Sequence, residues 1–160
     1  GTCYLVAREM NAGNLDLAGL AIAGAVGDKQ LFFIANAFIL EEALKTAMQQ
    51  NWSTNARARI LFLILDAPVH EDPRKINLLK EQVKLAAAKG VMIIPVSASG
   101  IDKASEFLFR FMAQATNGTY TFLTNHSGIG GAHITPTIGN YQVEFLNNLM
   151  VRLITKYGGN

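Results

Sequence analysis

The stretch Ile60-Leu-Phe-Leu-Ile-Leu65 leaves this chain the fewest choices. Six apolar residues in a row are too few to span a membrane. They also lack the polar face of a surface helix, so they read as a strand buried on both faces. Asp66 ends the run, and Ala67-Pro68 blocks simple continuation because proline has no amide hydrogen to give a sheet. The pattern predicts a central parallel strand with a carboxylate at its carboxyl end. Ligands of open α/β sheets gather in the crevice outside such ends, which makes Asp66 the first candidate for chemistry.

The flanking sequence fits that frame. After a polar loop over Val69–Lys75, a helix is expected over Asn77–Lys89, with Leu78, Leu79, Val83 and Ala86 inward and Gly90 closing it. Val91–Val96 is a second apolar run, so strand, helix and strand make a right-handed parallel unit with Ser97–Gly100 at its carboxyl end. Asp102 is placed to cap a helix running to Ala115, in which Phe107, Leu108, Phe111 and Met112 recur at helical spacing. Asn117-Gly118 ends it, Thr119–Thr124 reads as a third strand, Asn125–Asn140 as a glycine-rich loop and Tyr141–Tyr157 as a final helix. Upstream, Thr2–Glu9 reads as a strand and Leu15–Val26 as a helix. A further helix carries Glu41-Glu42 in its first turn and ends near Trp52. Together these predict one α/β domain over residues 1–160. It is a three-layer α-β-α arrangement around a Rossmann-like, mostly parallel sheet, with its amino-terminal side incomplete.

Composition removes several function classes. The 14 basic and 12 acidic residues give a formal charge of +2 without a basic cluster, so nucleic acid is not an expected partner. Charged residues make up 16% of the chain against roughly 25% in ordinary soluble domains, which predicts surface covered by another protein or by the remainder of a larger polypeptide. Cys3 stands alone, so neither an internal disulfide nor cysteine metal-ligand spacing arises. No stretch reaches the roughly 18 apolar residues of a spanning helix, and the first residues carry no secretion signal.

Three segments, taken in order, resemble the second half of a von Willebrand factor type A domain. They are Ala58-Arg-Ile-Leu-Phe-Leu-Ile-Leu-Asp66, Ala87-Ala-Lys-Gly-Val-Met-Ile-Ile-Pro-Val96 and Phe111-Met-Ala-Gln-Ala-Thr-Asn-Gly-Thr-Tyr-Thr-Phe122. Asp66-Ala-Pro-Val-His70 is similar to an Asp-Ala-Pro-x-His variant of that family. The match is best over residues 56–125 and weak over 1–55. The resemblance implies a non-enzymatic, protein-binding or adhesion module, extracellular or in a cell envelope. In the family a divalent cation sits at the strand ends, held by an Asp-x-Ser-x-Ser loop, a threonine and an aspartate at the position of Asp66. This chain has no Asp-x-Ser-x-Ser, so the resemblance implies a degenerate cation site. No cofactor is expected beyond weakly held magnesium, calcium or manganese, with Asp66 as the metal ligand.

His70, Ser97 and Ser99 are the other crevice candidates, although a lone loop histidine is usually solvated and strand-end serines mostly satisfy local backbone. A small hydrolase or nucleotide-binding α/β enzyme is the competing reading. It would use Ser97 or Ser99 as nucleophile, His70, His126 or His133 as base, and Asp66 to orient that base. The Gly-x-Ser-x-Gly elbow is missing, and Ser127-Gly-Ile-Gly-Gly131 precedes no helix start, so it is a weak phosphate cradle.

Overall fold

The computed structural model describes residues 36–65, 68–69, 72–98, 101–123, 137 and 143–159. Within them run α1 (Asn36–Gln49), β1 (Arg59–Leu65), α2 (Pro73–Ala88), β2 (Val91–Ser97), α3 (Lys103–Ala115), β3 (Thr121–Phe122) and α4 (Leu146–Gly158). The fold is a mixed α/β, Rossmann-like arrangement in which helices flank an open, all-parallel, three-stranded sheet ordered β1-β2-β3. The expected strands at Thr2–Glu9, the helix at Leu15–Val26 and nearly all of the Asn125–Asn140 loop lie outside the described residues.

Alternation along β1 sends its side chains to two separate cores. Leu61, Leu63 and Leu65 join Leu44 and Met48 of α1, Leu79 and Val83 of α2, and Phe109 and Met112 of α3. Phe62, with Ile60 and Ile64 packed beside it, meets Ile94, Val96 and Leu153 of α4 on the opposite face. The three layers therefore follow from the apolar run itself, because a strand without a polar face needs a helical layer on each side.

Pro95 in β2 looks wrong for a middle strand. The bond directions remove the difficulty. The Ala98 amide donates to the Leu65 carbonyl at 2.6 Å, so even-numbered residues of β2 point toward β1. Pro95 shares its direction with Ile93, whose amide turns the other way and donates to Thr116 Oγ1 at 2.9 Å. The missing amide hydrogen thus falls on the side of the two-residue β3, where the ladder does not need it, while Thr121 Oγ1 still donates to the Pro95 carbonyl at 2.9 Å.

Several expectations change in position. Among the described residues β2 holds the middle of the sheet and β1 an edge. Helix α2 starts at Pro73 rather than Asn77, because Asp72 accepts from the Arg74 amide as N-cap and Pro73 sits at the first helical position, where it gives up no bond. Leu79, Val83 and Ala86 are buried as expected, but Leu78 is 55% exposed. In α3 the stripe is rotated. Phe109, Met112 and Ala113 are inside with Ser105 and Glu106, whereas Phe107 and Phe111 face outward. Helix α1 begins at Asn36, so Glu41 and Glu42 are not in its first turn. Strand β3 keeps only Thr121–Phe122, and α4 starts at Leu146 after an extended Phe145.

Candidate functional site

The carboxyl ends of β1 and β2 are level, since Leu65 and Ser97 are register partners. Two backbone bonds fix this end, from Ala98 to Leu65 and from the Leu123 amide to the Ser97 carbonyl at 2.7 Å. Asp66, His70 and Ser99 lie outside the described residues; Ser97 is the sequence candidate whose place the structure gives. It is 1% exposed, and its hydroxyl oxygen has no hydrogen-bond partner among the described residues. The next described neighbour is Tyr120, whose hydroxyl faces Ser97 without meeting hydrogen-bond geometry. Burial pushes the Tyr120 phenol above its ordinary range. The Ser97 hydroxyl opposes that, and the charges of Glu106 and Arg110 add smaller, opposite pushes.

The first turn of α3 supplies the rest. Asp102 caps it, with its Oδ1 accepting from the Ser105 amide at 2.8 Å, and the Ser105 hydroxyl and amide hold the Asp102 carboxyl below its usual value. This cap starts the helix, and packing of Phe109 and Met112 into the core turns Ser105 and Glu106 inward. Ser105 Oγ accepts from the Val69 amide at 2.8 Å, tying the segment after β1 to α3. Glu106 is 2% exposed; its Oε1 accepts from the Thr137 amide at 3.2 Å and lies 3.8 Å from Arg110 Nη1. Its Oε2 is buried without a partner among the described residues. Burying an oxygen without a bond costs roughly 1–3 kcal/mol. The carboxyl end of the sheet therefore carries two such atoms, one hydroxyl and one carboxylate oxygen, both acceptors for a ligand with a hydrogen to donate. Oxygen donors of this kind also suit hard cations, although Arg110 already balances the charge of Glu106.

Sequence reasoning did not single out Glu106, Ser105 or Tyr120. The signal for the first two was present. Counting from the Asp102 cap, Ser105 and Glu106 fall on the same helical face as Phe109, Met112 and Ala113, so that face carries a carboxylate into the interior.

At the amino end of the sheet the polar groups are engaged. Arg59 donates to the carbonyls of Ser53, Thr54 and Lys89 at 2.7, 3.1 and 3.2 Å. Lys89 Nζ donates to the Met48 carbonyl at 2.6 Å. A cleft of about 200 Å³ lies there between Arg59, Met92, Thr116 and Asn117. Among the described residues, no helix is long and apolar enough to cross a membrane.

The fold defines the chain as a Rossmann-like α/β domain with buried polar residues at the carboxyl ends of its strands. Comparison with protein-family models, with curated proteins and with solved structures finds no match to this chain.

Proposed function

We propose that this chain is a non-enzymatic protein-binding module of the von Willebrand A kind, with a weak or lost divalent-cation site. The observation that carries the reading is the aromatic pair on α3. Phe107 is 76% exposed and Phe111, one turn on, is 42% exposed. Phe107 stands next in sequence to Glu106, whose side chain lies at the carboxyl ends of the strands. Exposed aromatic side chains side by side are a common mark of protein contact surfaces, because each buries a large area for few torsions lost. The parallel order β1-β2-β3 with intervening helices also agrees with the order of segments that resemble the family. Against a serine-hydrolase reading, Ser97 is only 1% exposed, out of reach of a substrate carbonyl.

The cation is expected to bind weakly. Six or more oxygen ligands are wanted by calcium and near-octahedral geometry by magnesium. Ser97 offers one hydroxyl and Asp66 one carboxylate, leaving most of the coordination to water. Capture experiments with the whole chain should recover a protein that Phe107→Ser releases, with no turnover of a generic ester. Ester turnover with no protein captured would overturn the reading. Millimolar magnesium, calcium or manganese should raise Tm by under about five degrees relative to chelator. A larger shift that Asp66→Ala abolishes would show a complete cation site.

A further inference from the structure

On the protein-binding reading above, on which this inference rests, we propose that the groove between α2 and α3 on the outside of the domain takes an acidic amphipathic helix of the partner protein.

Level, direction and charge together shape this groove. A single cleft at the amino end of the sheet is lined by Ala87 of α2 and Ala115 of α3, so the two helices stand side by side there. Each returns from the carboxyl end of a parallel strand, so they run the same way. At 1.5 Å per residue, Lys84 and Lys80 lie about 4.5 and 10.5 Å back from Ala87, and Phe111 and Phe107 about 6 and 12 Å back from Ala115. Lys84 is therefore level with Phe111, and Lys80 with Phe107.

Each residue turns about 100° around a helix. Lys80, seven residues before Ala87, points within about 20° of it. It also lies half a turn round α2 from Lys89, whose ammonium reaches Met48 of α1 on the opposite flank. Phe111, four residues before Ala115, points within about 40° of it, with Phe107 one turn further along. Both rings and both lysines are exposed. The groove thus has an ammonium wall on α2 and an aromatic wall on α3.

Helices α2 and α3 hold six basic and two acidic residues, a net +4 in a chain whose total is +2. Basic residues that look scattered along the sequence are gathered into this layer by the fold. Glu106 is buried, and Asp72 and Asp102 cap their own helices at the far end. Lys80 and Lys84 are one turn apart, where like charges repel. Glu81 meets Lys84 at 3.0 Å, but both side chains are well exposed, and such a pair is weak enough to give way to a partner's carboxylate. A helix laid along the groove meets both walls at its own one-turn spacing. Its apolar residues at i and i+4 pack on Phe107 and Phe111, and acidic residues on the neighbouring side reach Lys80 and Lys84.

Fluorescence anisotropy of the full chain tests this fit with a labelled peptide helix bearing glutamate along one side and leucine along the next. Binding should saturate, and should weaken as salt rises from about 0.05 to 0.5 M, because exposed charges are screened. Lys80→Glu combined with Lys84→Glu should weaken it at least about tenfold, since like charges then meet. Phe107→Ser should weaken it to a similar degree, with circular dichroism unchanged in both variants. A peptide with lysine in place of glutamate should fail on the native chain and bind the charge-reversed one, a rescue that misfolding would not allow. No binding of the acidic peptide, equal binding of the lysine peptide, or binding only to vesicles of anionic phospholipid would each overturn the proposal. A captured protein that Phe107→Ser releases but the double lysine reversal retains would also overturn it, and would leave the protein-binding reading standing. A chain that captures no protein and binds no peptide would remove both.

Discussion

At the amino end of the sheet, Arg59 spends its guanidinium on three carbonyls, Thr116 Oγ1 takes the Ile93 amide and gives its own hydrogen to the Met112 carbonyl, and Lys89 closes onto Met48. At the carboxyl end, Ser97 Oγ and Glu106 Oε2 are buried without a hydrogen bond that meets the usual geometry among the described residues. The same strands make both ends, so the difference lies in what the connecting segments bring. Segments at the amino end are short, and their side chains serve backbone. At the carboxyl end, the last residue of β2 and the first turn of α3 each carry an oxygen that bonds nothing among the described residues, at the place where a parallel sheet meets its ligand.

The largest effect is expected at the amino end. A Cβ at Gly118 would fall inside the van der Waals envelope of the Ile93 carbonyl, and backbone cannot step aside as a flexible side chain does. Gly118→Ala should cost about 3 kcal/mol or more in chemical denaturation. Thr116→Val keeps the shape but strands the buried Ile93 amide, so a loss of about 2 kcal/mol is expected from the same measurement. A smaller effect belongs to the cap that starts α3. Asp102→Ala should cost about 1 kcal/mol. The Asp102 carboxyl titrates lower in the folded state than in the unfolded one. Its contribution is therefore present above the unfolded value of about 3.9 and is lost as pH falls through the lower folded value. Acid titration of Asp102→Asn should lose that part of the pH dependence. The smallest effect is at Ser97. Since its hydroxyl is buried without a partner among the described residues, Ser97→Ala should cost nothing and should raise stability by up to about 1 kcal/mol, because the desolvated oxygen is removed. A loss above 1 kcal/mol would show that a bond to Ser97 exists, and the contrast between the two ends would fail.

The apolar runs at 60–65 and 91–96 were enough to predict two buried parallel strands and the helix between them, because hydrophobic periodicity and the glycine stop at Gly90 are local signals. Asp102 likewise marked the start of α3 by its own side chain. Local chemistry does not fix rotation about a helix axis when apolar residues are spread around it. In α3, Phe107, Leu108, Phe109, Phe111 and Met112 offer several faces, and packing against β2 selected the one bearing Phe109 and Met112. That choice turned Glu106 inward and Phe107 outward, so the buried carboxylate and the exposed aromatic pair are both products of tertiary packing. Strand position followed the same rule. Residue content made β1 a strand buried on both faces, but which strands neighbour one another depends on the pairing of distant segments, and only the assembled sheet gave the order β1-β2-β3 among the described residues.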